Sequence, residues 1–275
     1  MPLYQAIILA IVQGLTEFLP VSSTAHLAII PRLFHFADPG LGFDVALHVG
    51  TLIAILIFFF RDWVQVIANG LGFNYRGVAP DENSRSLLWF LVVGTIPVLM
   101  AGAALKQYAE GPWRTLFVMG TTLILLGIVM YFADRVGQNK RRLDSMNWGD
   151  AISIGLAQAL AVVPGVSRSG ITITAARFRH LDREAAARFS FLLSTPAIAA
   201  AAAKDALDLR KEGGVPHDMQ LPYLAGIAVS GLVGIVVIAF FLHYLRRNTL
   251  NLFVWYRVIF GIIVIALGIY FRNGG

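Results

Sequence analysis

Long apolar stretches dominate this chain, and they come in two lengths. Six of them reach membrane-spanning length, about 20 residues at 1.5 Å rise each: 42–60, 87–105, 114–134, 184–204, 221–243 and 251–271. Four others, 3–18, 22–36, 149–162 and 169–180, are too short to span. They form two pairs, one split by Pro20 and the other by Pro164-Gly165. Proline removes a backbone donor and clashes with the preceding turn, so each pair reads as one helix broken in two. Such pairs suit re-entrant hairpins, since broken backbone at membrane depth is tolerated only against protein or a polar cavity. The pattern predicts an all-α integral membrane protein, residues 1–275 forming one membrane domain of six transmembrane helices plus two re-entrant helix hairpins.

The two broken segments resemble each other. Gln13-Gly-Leu-Thr-Glu-Phe-Leu-Pro-Val-Ser22-Ser-Thr24 aligns without a gap on Gln158-Ala-Leu-Ala-Val-Val-Pro-Gly-Val-Ser167-Arg-Ser169, an offset of 145 residues. Gln13 meets Gln158, Leu15 meets Leu160, Val21 meets Val166, Ser22 meets Ser167 and Thr24 meets Ser169. Each half also has an apolar helix containing a proline, Pro97 and Pro196. The chain thus divides into a first repeat over about 1–134 and a second over about 149–271.

Composition agrees with membrane residence: 57% of residues are hydrophobic and only 14% charged, against roughly a quarter charged in a soluble domain. The net charge of +6 is explained by Lys/Arg enrichment of cytoplasmic loops, and no basic run interleaved with aromatics points to nucleic acid. Cysteine is absent, which excludes disulfides and thiol chemistry. The N-terminus lacks a basic signal-peptide region and meets Gln13 and Glu17 where a cleavage site would fall, so removal is not expected. With 135–148 cytoplasmic, the loops 61–86, 177–183 and 244–250 fall on the same side. The termini and 37–41, 106–113 and 205–220 then lie outside. The first set holds twelve cations, Arg76 and Arg177 among them; the second holds Lys106, Arg210, Lys211 and Arg272. Hairpin one then enters from outside and hairpin two from the cytoplasm, an inverted-topology repeat, whose ligand site is expected near the midplane where the breaks meet.

The breaks carry the polar chemistry. Glu17 and Arg168 are each costly at a helix centre, about 2.5–3.5 kcal/mol on insertion scales, and can offset one another in a shared cavity. Ser22, Ser23 and Thr24 are good N-cap residues for the helix after Pro20, whose N-terminus is a ready anion site. Ser22 and Ser23 lie four and three residues before His26, so their hydroxyls can share the imidazole's face. Gln13 and Glu17 are likewise four apart. In the second break Gly165 and Gly170 permit close backbone approach, and Arg168 offers a planar fork that matches phosphate. A nucleophile, a base, a carboxylate and a phosphate clamp suit phosphoryl transfer.

Together, Gln13-Gly-Leu-Thr-Glu17…Pro20-Val-Ser-Ser-Thr-Ala-His26 and Pro164-Gly-Val-Ser-Arg-Ser-Gly-Ile-Thr172 closely resemble the two motifs of the bacterial undecaprenyl-diphosphatase family, also called the bacitracin-resistance protein family. The similarity covers essentially the whole chain, including Arg-Phe-Ser-Phe-Leu-Leu at 188–193. The resemblance implies hydrolysis of undecaprenyl diphosphate to the monophosphate, recycling the lipid carrier for peptidoglycan. It implies residence in the bacterial inner membrane, with the active site open toward the periplasmic side. The partners it implies are a polyprenyl diphosphate lipid and the bilayer, with homo-oligomerisation left open. Carried across, Glu17, Ser23, His26 and Arg168 are the catalytic residues, while Ser22, Thr24, Ser167, Ser169, Thr172 and Gln13 bind substrate. It also implies a divalent cation, Mg²⁺ or Ca²⁺, on Glu17, although Gln13 stands where many members have glutamate and puts a two-glutamate metal site in doubt. Asp44, Asp150 and His48 flank the hairpins and read first as caps or packing groups. The nucleophile stays open among Ser23, His26 and water. The alternative from another class is a transporter or flippase of an anionic solute or polyprenyl phosphate, since inverted repeats meeting at the midplane also build transporters.

Overall fold

The computed structural model describes residues 1–36, 40–73, 82–211 and 213–274. Residues 37–39 of the first outer loop, and Arg76 among the counted cations, lie outside the described residues. Those described form eleven α-helices and no strand. The first broken pair gives α1 (Leu3–Thr16) and α2 (Ser23–Leu33). After them come α3 (Leu41–Phe58), α4 (Phe60–Gly70), α5 (Glu82–Glu110) and α6 (Leu116–Val136). The second pair gives α7 (Trp148–Ala159), prolonged by a 3₁₀ turn over Leu160–Val162, and α8 (Arg168–Phe178). It is followed by α9 (Arg183–Lys211), α10 (Gln220–Leu245) and α11 (Asn251–Gly274).

Five helices, α5, α6, α9, α10 and α11, are long and apolar enough to cross a membrane, and α3 with α4 makes a sixth candidate broken by a 74° bend. The span read at 42–60 therefore does not run straight into a loop. Phe59, fully buried at the bend, lies under the Arg188 guanidinium, 5.4 Å from the ring centroid, and Arg188 also pairs with Asp62 of α4. Two contacts to α9 thus hold the corner. Large apolar side chains such as Ile57, Leu224, Leu232 and Tyr270 remain exposed on the protein's outer face, as lipid-facing surfaces require. Of α9's most apolar window 61% is buried, against 22% for α5, so α9 is central and α5 peripheral.

The 145-residue offset recurs in the elements. α1 and α7 begin at 3 and 148, and α2 and α8 run over 23–33 and 168–178. Ser22 and Ser167, the residues entering α2 and α8, take positive φ of 73° and 70°, and His35 and His180, just beyond those helices, take 52° and 64°. Positive φ is uncommon outside glycine and costs of order 1–3 kcal/mol, so its recurrence at matched positions marks the same chain path twice. Packing is reciprocal: α1 lies on α10 as α7 lies on α5, and α6 pairs with α11. Pro97 and Pro196 sit inside α5 and α9, helices that the offset does not match. α6 and α11 approach closely through Gly120 and Gly261, where a Cβ on either would lie 2.8 Å from the other's carbonyl oxygen, the small-residue contact expected between membrane helices.

Not every cation counted in the loops is a loop cation. Arg177 is fully buried, its Nε donating to Asp134 Oδ1 at 3.1 Å, and Arg183 joins the same carboxylate at 2.7 Å. Asp150 proves to be a cap: it forms a capping box with Asn147 at the start of α7 and accepts from Arg141 and Arg179. Burial opposes its charge, but Arg141, Arg179 and the Asn147 backbone N–H prevail and hold the carboxyl below the usual carboxylate range.

Candidate active site

The two breaks meet. Pro20 ends the α1 path, and Pro164 with Gly165 (φ +88°) ends that of α7, leaving turn carbonyls and hydroxyls that helices would otherwise occupy. Ser169 Oγ reaches across to the carbonyls of Glu17 and Leu19 at 3.2 and 3.1 Å, and the Gly165 N–H reaches Thr24 Oγ1 at 3.5 Å. Thr122 of α6 donates to the Pro164 carbonyl at 2.8 Å. Ser167 caps α8 by accepting from the Gly170 N–H at 3.1 Å. Ser22 occupies the equivalent place before α2, yet its hydroxyl bonds Thr24 Oγ1 at 2.9 Å and does not cap α2. Thr172 turns away from the break, bonding the Arg168 carbonyl at 2.8 Å and Ser190 of α9 at 2.6 Å.

Glu17 is the hub. Its Oε1 pairs with the Arg168 guanidinium, which also donates to the Ser194 carbonyl of α9. Its Oε2 accepts from Ser23 Oγ at 2.8 Å and from Gln13 Nε2 at 3.0 Å. His48 of α3 brings Nε2 to 3.5 Å from the same oxygen, while its Nδ1 bonds the Asp44 carbonyl at 2.7 Å. Since a carbonyl only accepts, Nδ1 donates to Asp44, and Nε2 faces the carboxylate. Glu17 is buried, whereas Ser23 and Arg168 are partly open and Thr24 is exposed, so the hydroxyls and the guanidinium are the groups a ligand can reach.

His26 does not join this cluster. Its Nδ1 bonds the Ser22 carbonyl and its Nε2 the Tyr256 hydroxyl, both at 2.7 Å. The ring stacks on Phe260 at 4.2 Å between centroids. The Ser23 proton is therefore offered to Glu17 rather than to the imidazole. Tyr256, Arg257 and the His48–Glu17 approach escaped sequence reasoning. For Arg257 the signal was present, a charge inside the apolar run 251–271; for Tyr256 and His48 only the tertiary contact reveals it.

Among the described residues no group of three or more His, Cys, Asp and Glu side chains is placed to hold a metal. The donors around Glu17 nonetheless fit a cation of the Mg²⁺ type, which keeps few protein ligands and completes its shell with phosphate oxygens. Gln13 Oε1 is buried without a partner beside the carboxylate.

Residues 6–263 match the family described as bacitracin resistance protein BacA. The undecaprenyl-diphosphatase of Desulforudis audaxviator is 47% identical over 266 residues, covering 97% of this chain and 98% of that protein. Those of Moorella thermoacetica and Thermodesulfovibrio yellowstonii are 44% and 45% identical, each over at least 97% of both chains. This multi-pass, all-helical membrane protein therefore belongs to the BacA bacitracin resistance family.

Proposed function

We propose that this protein hydrolyses undecaprenyl diphosphate to undecaprenyl phosphate and inorganic phosphate, recycling the lipid carrier of peptidoglycan synthesis and conferring bacitracin resistance. The observation that carries the mechanism is the shared carboxylate: Glu17 holds the Ser23 hydroxyl on one oxygen and the Arg168 guanidinium on the other. A nucleophile, its base and a phosphate-binding fork thus meet at one point, drawn from both breaks.

The diphosphate enters where Ser23, Thr24 and Arg168 are open, its charge drawn to the uncapped N-terminus of α2. Arg168 exchanges part of its contact with Glu17 for the phosphate oxygens, for which its fork is suited. Relieved of that pairing, Glu17 takes the Ser23 proton as Oγ attacks the terminal phosphorus. A new O–P bond forms, the bond to the bridging oxygen breaks, and polyprenyl phosphate leaves. Glu17 passes that proton to the departing phosphate oxygen and, a carboxylate again, deprotonates the water that cleaves the phosphoserine; the proton then returns to Ser23 Oγ as phosphate is released. His26, tied to Ser22 and Tyr256, keeps the turn before Ser23 in shape rather than moving the proton. A divalent cation, when bound, neutralises charge on the phosphate oxygens, and Glu17 with Gln13 Oε1 would hold it. The cation asymmetry of the loops supports a site that opens, with the first hairpin, toward the periplasmic side of the inner membrane, the two halves being inverted repeats.

Proteoliposomes loaded with polyprenyl diphosphate test this against the transporter reading. Phosphate release by the wild type, reduced by chelator and restored by Mg²⁺ or Ca²⁺, is the expected result. Translocation of the lipid with no phosphate release would replace the phosphatase by a flippase.

A further inference from the structure

Arg257 of α11 belongs to neither break, yet it binds both. Its side chain is 1% exposed. Nη1 donates to the Pro20 carbonyl at 3.1 Å, and Nη2 to the carbonyls of Gly165 and Val166 at 3.2 and 3.0 Å. Nε and Nη2 complete the set on the Leu123 and Thr122 carbonyls of α6. Every one of these acceptors is a backbone carbonyl, and no ion pair to Arg257 occurs among the described residues. Burying a guanidinium without a counter-ion is expensive, and an apolar side chain would fill the same space at less cost. The residue therefore does something that apolar packing would not.

The acceptors indicate what that is. Pro20 lies three residues before Ser23 and three after Glu17, while Gly165 and Val166 lead directly into Ser167 and Arg168. A planar, rigid fork bridging those carbonyls sets the separation between the segment bearing the nucleophile and the segment bearing the phosphate-binding arginine. Its charge sits beside the first turn of α8, since a Cβ on Gly170 would lie 3.0 Å from Nη1. Unopposed by a carboxylate, that charge adds to the attraction of the site for an anion.

We propose that Arg257 is a positioning residue of the phosphatase: its fork clasps the two breaks in catalytic register, and its unpaired charge strengthens diphosphate binding. The proposal rests on the hydrolytic reading above. It separates two properties that substitution can take apart. Arg257→Lys keeps the charge and loses the fork; Arg257→Gln loses both; Gly170→Ala keeps the arginine and crowds it together with Ser167. The experiment measures kcat with polyprenyl diphosphate, and the Kd of a non-hydrolysable methylene diphosphonate analogue, for purified variants whose thermal unfolding shows them folded. For Arg257→Lys, kcat is expected to fall about tenfold or more, as displaced catalytic groups do, with Kd near the wild-type value. Arg257→Gln is expected to weaken Kd about tenfold as well. Gly170→Ala, a substitution favourable to helix, is expected to lower kcat several-fold, about 3–10 times, without changing Kd. Wild-type kcat in both Arg257→Lys and Gly170→Ala would overturn the clasp. Equal losses of kcat and Kd in Arg257→Lys and Arg257→Gln, in step with a lowered unfolding temperature, would reduce Arg257 to a structural residue. A wild type that binds the analogue but releases no phosphate would instead count against the hydrolytic reading itself.

Discussion

Glu17 is the residue on which both halves of the protein converge, and its substitutions separate the roles of its neighbours. Glu17→Gln keeps the hydrogen bond to Ser23 but removes the base, and kcat is expected to fall about 10²–10⁴-fold, read from phosphate release at saturating substrate. Tyr256→Phe removes only the hydroxyl on His26 Nε2, and a loss below about tenfold is expected if the imidazole is a support rather than the base. A Tyr256→Phe loss as deep as that of Glu17→Gln would return His26 to the chemistry. At this scale the sequence was informative where a residue is costly in its setting: Glu17 and Arg168 are charges in apolar sequence, and Ser23 sits just past a proline break. It was less informative where proximity alone matters. His48 lies 31 positions from Glu17 and Tyr256 lies 230 from His26, and nothing local to either residue announces the partner.

Among the elements, the hairpins were legible because proline and the shortness of the arms are local properties, and α2 and α8 begin within a residue or two of where those signals put them. The corner between α3 and α4 was not legible, since its causes are Arg188 contacts from a helix far along the chain. Two elements make separate predictions. At the start of α7, Asp150 has its carboxyl held below the usual range, so its stabilisation is present above about pH 4 and lost as pH falls through the folded value. Asp150→Asn is expected to cost about 1–3 kcal/mol at neutral pH through its lost charged hydrogen bonds. The thermal unfolding of the detergent-solubilised protein measures this, and the gap to wild type should close on acidification. At the α6–α11 contact, Gly261→Leu cannot be accommodated against the Gly120 carbonyl, and overpacking of about 1–3 kcal/mol is expected. Because α11 carries Tyr256 and Arg257, activity should fall with it.

For the whole molecule, the 145-residue offset of the short sequence repeat recurs in the bounds of α1 with α7 and α2 with α8 and in the paired backbone angles of Ser22 with Ser167 and His35 with His180. Beyond α2 and α8 the offset shortens, α3 and α9 beginning at 41 and 183 and α6 and α11 at 116 and 251, so sequence comparison alone could not carry it through the later helices. The burial of Arg177 also weakens the simple count of loop cations without reversing it. The absence of cysteine makes the orientation open to direct test: single cysteines at Ser145 and Gly213 should label from the cytoplasmic and periplasmic sides respectively in intact cells. The most direct test of the central claim, that the two breaks together form one phosphoryl-transfer site, is phosphate release from polyprenyl diphosphate by purified wild type, Ser23→Ala and Arg168→Ala. Hydrolysis by the wild type with a loss of about 10²-fold or more in each variant is the predicted result; hydrolysis undiminished in both folded variants would contradict it.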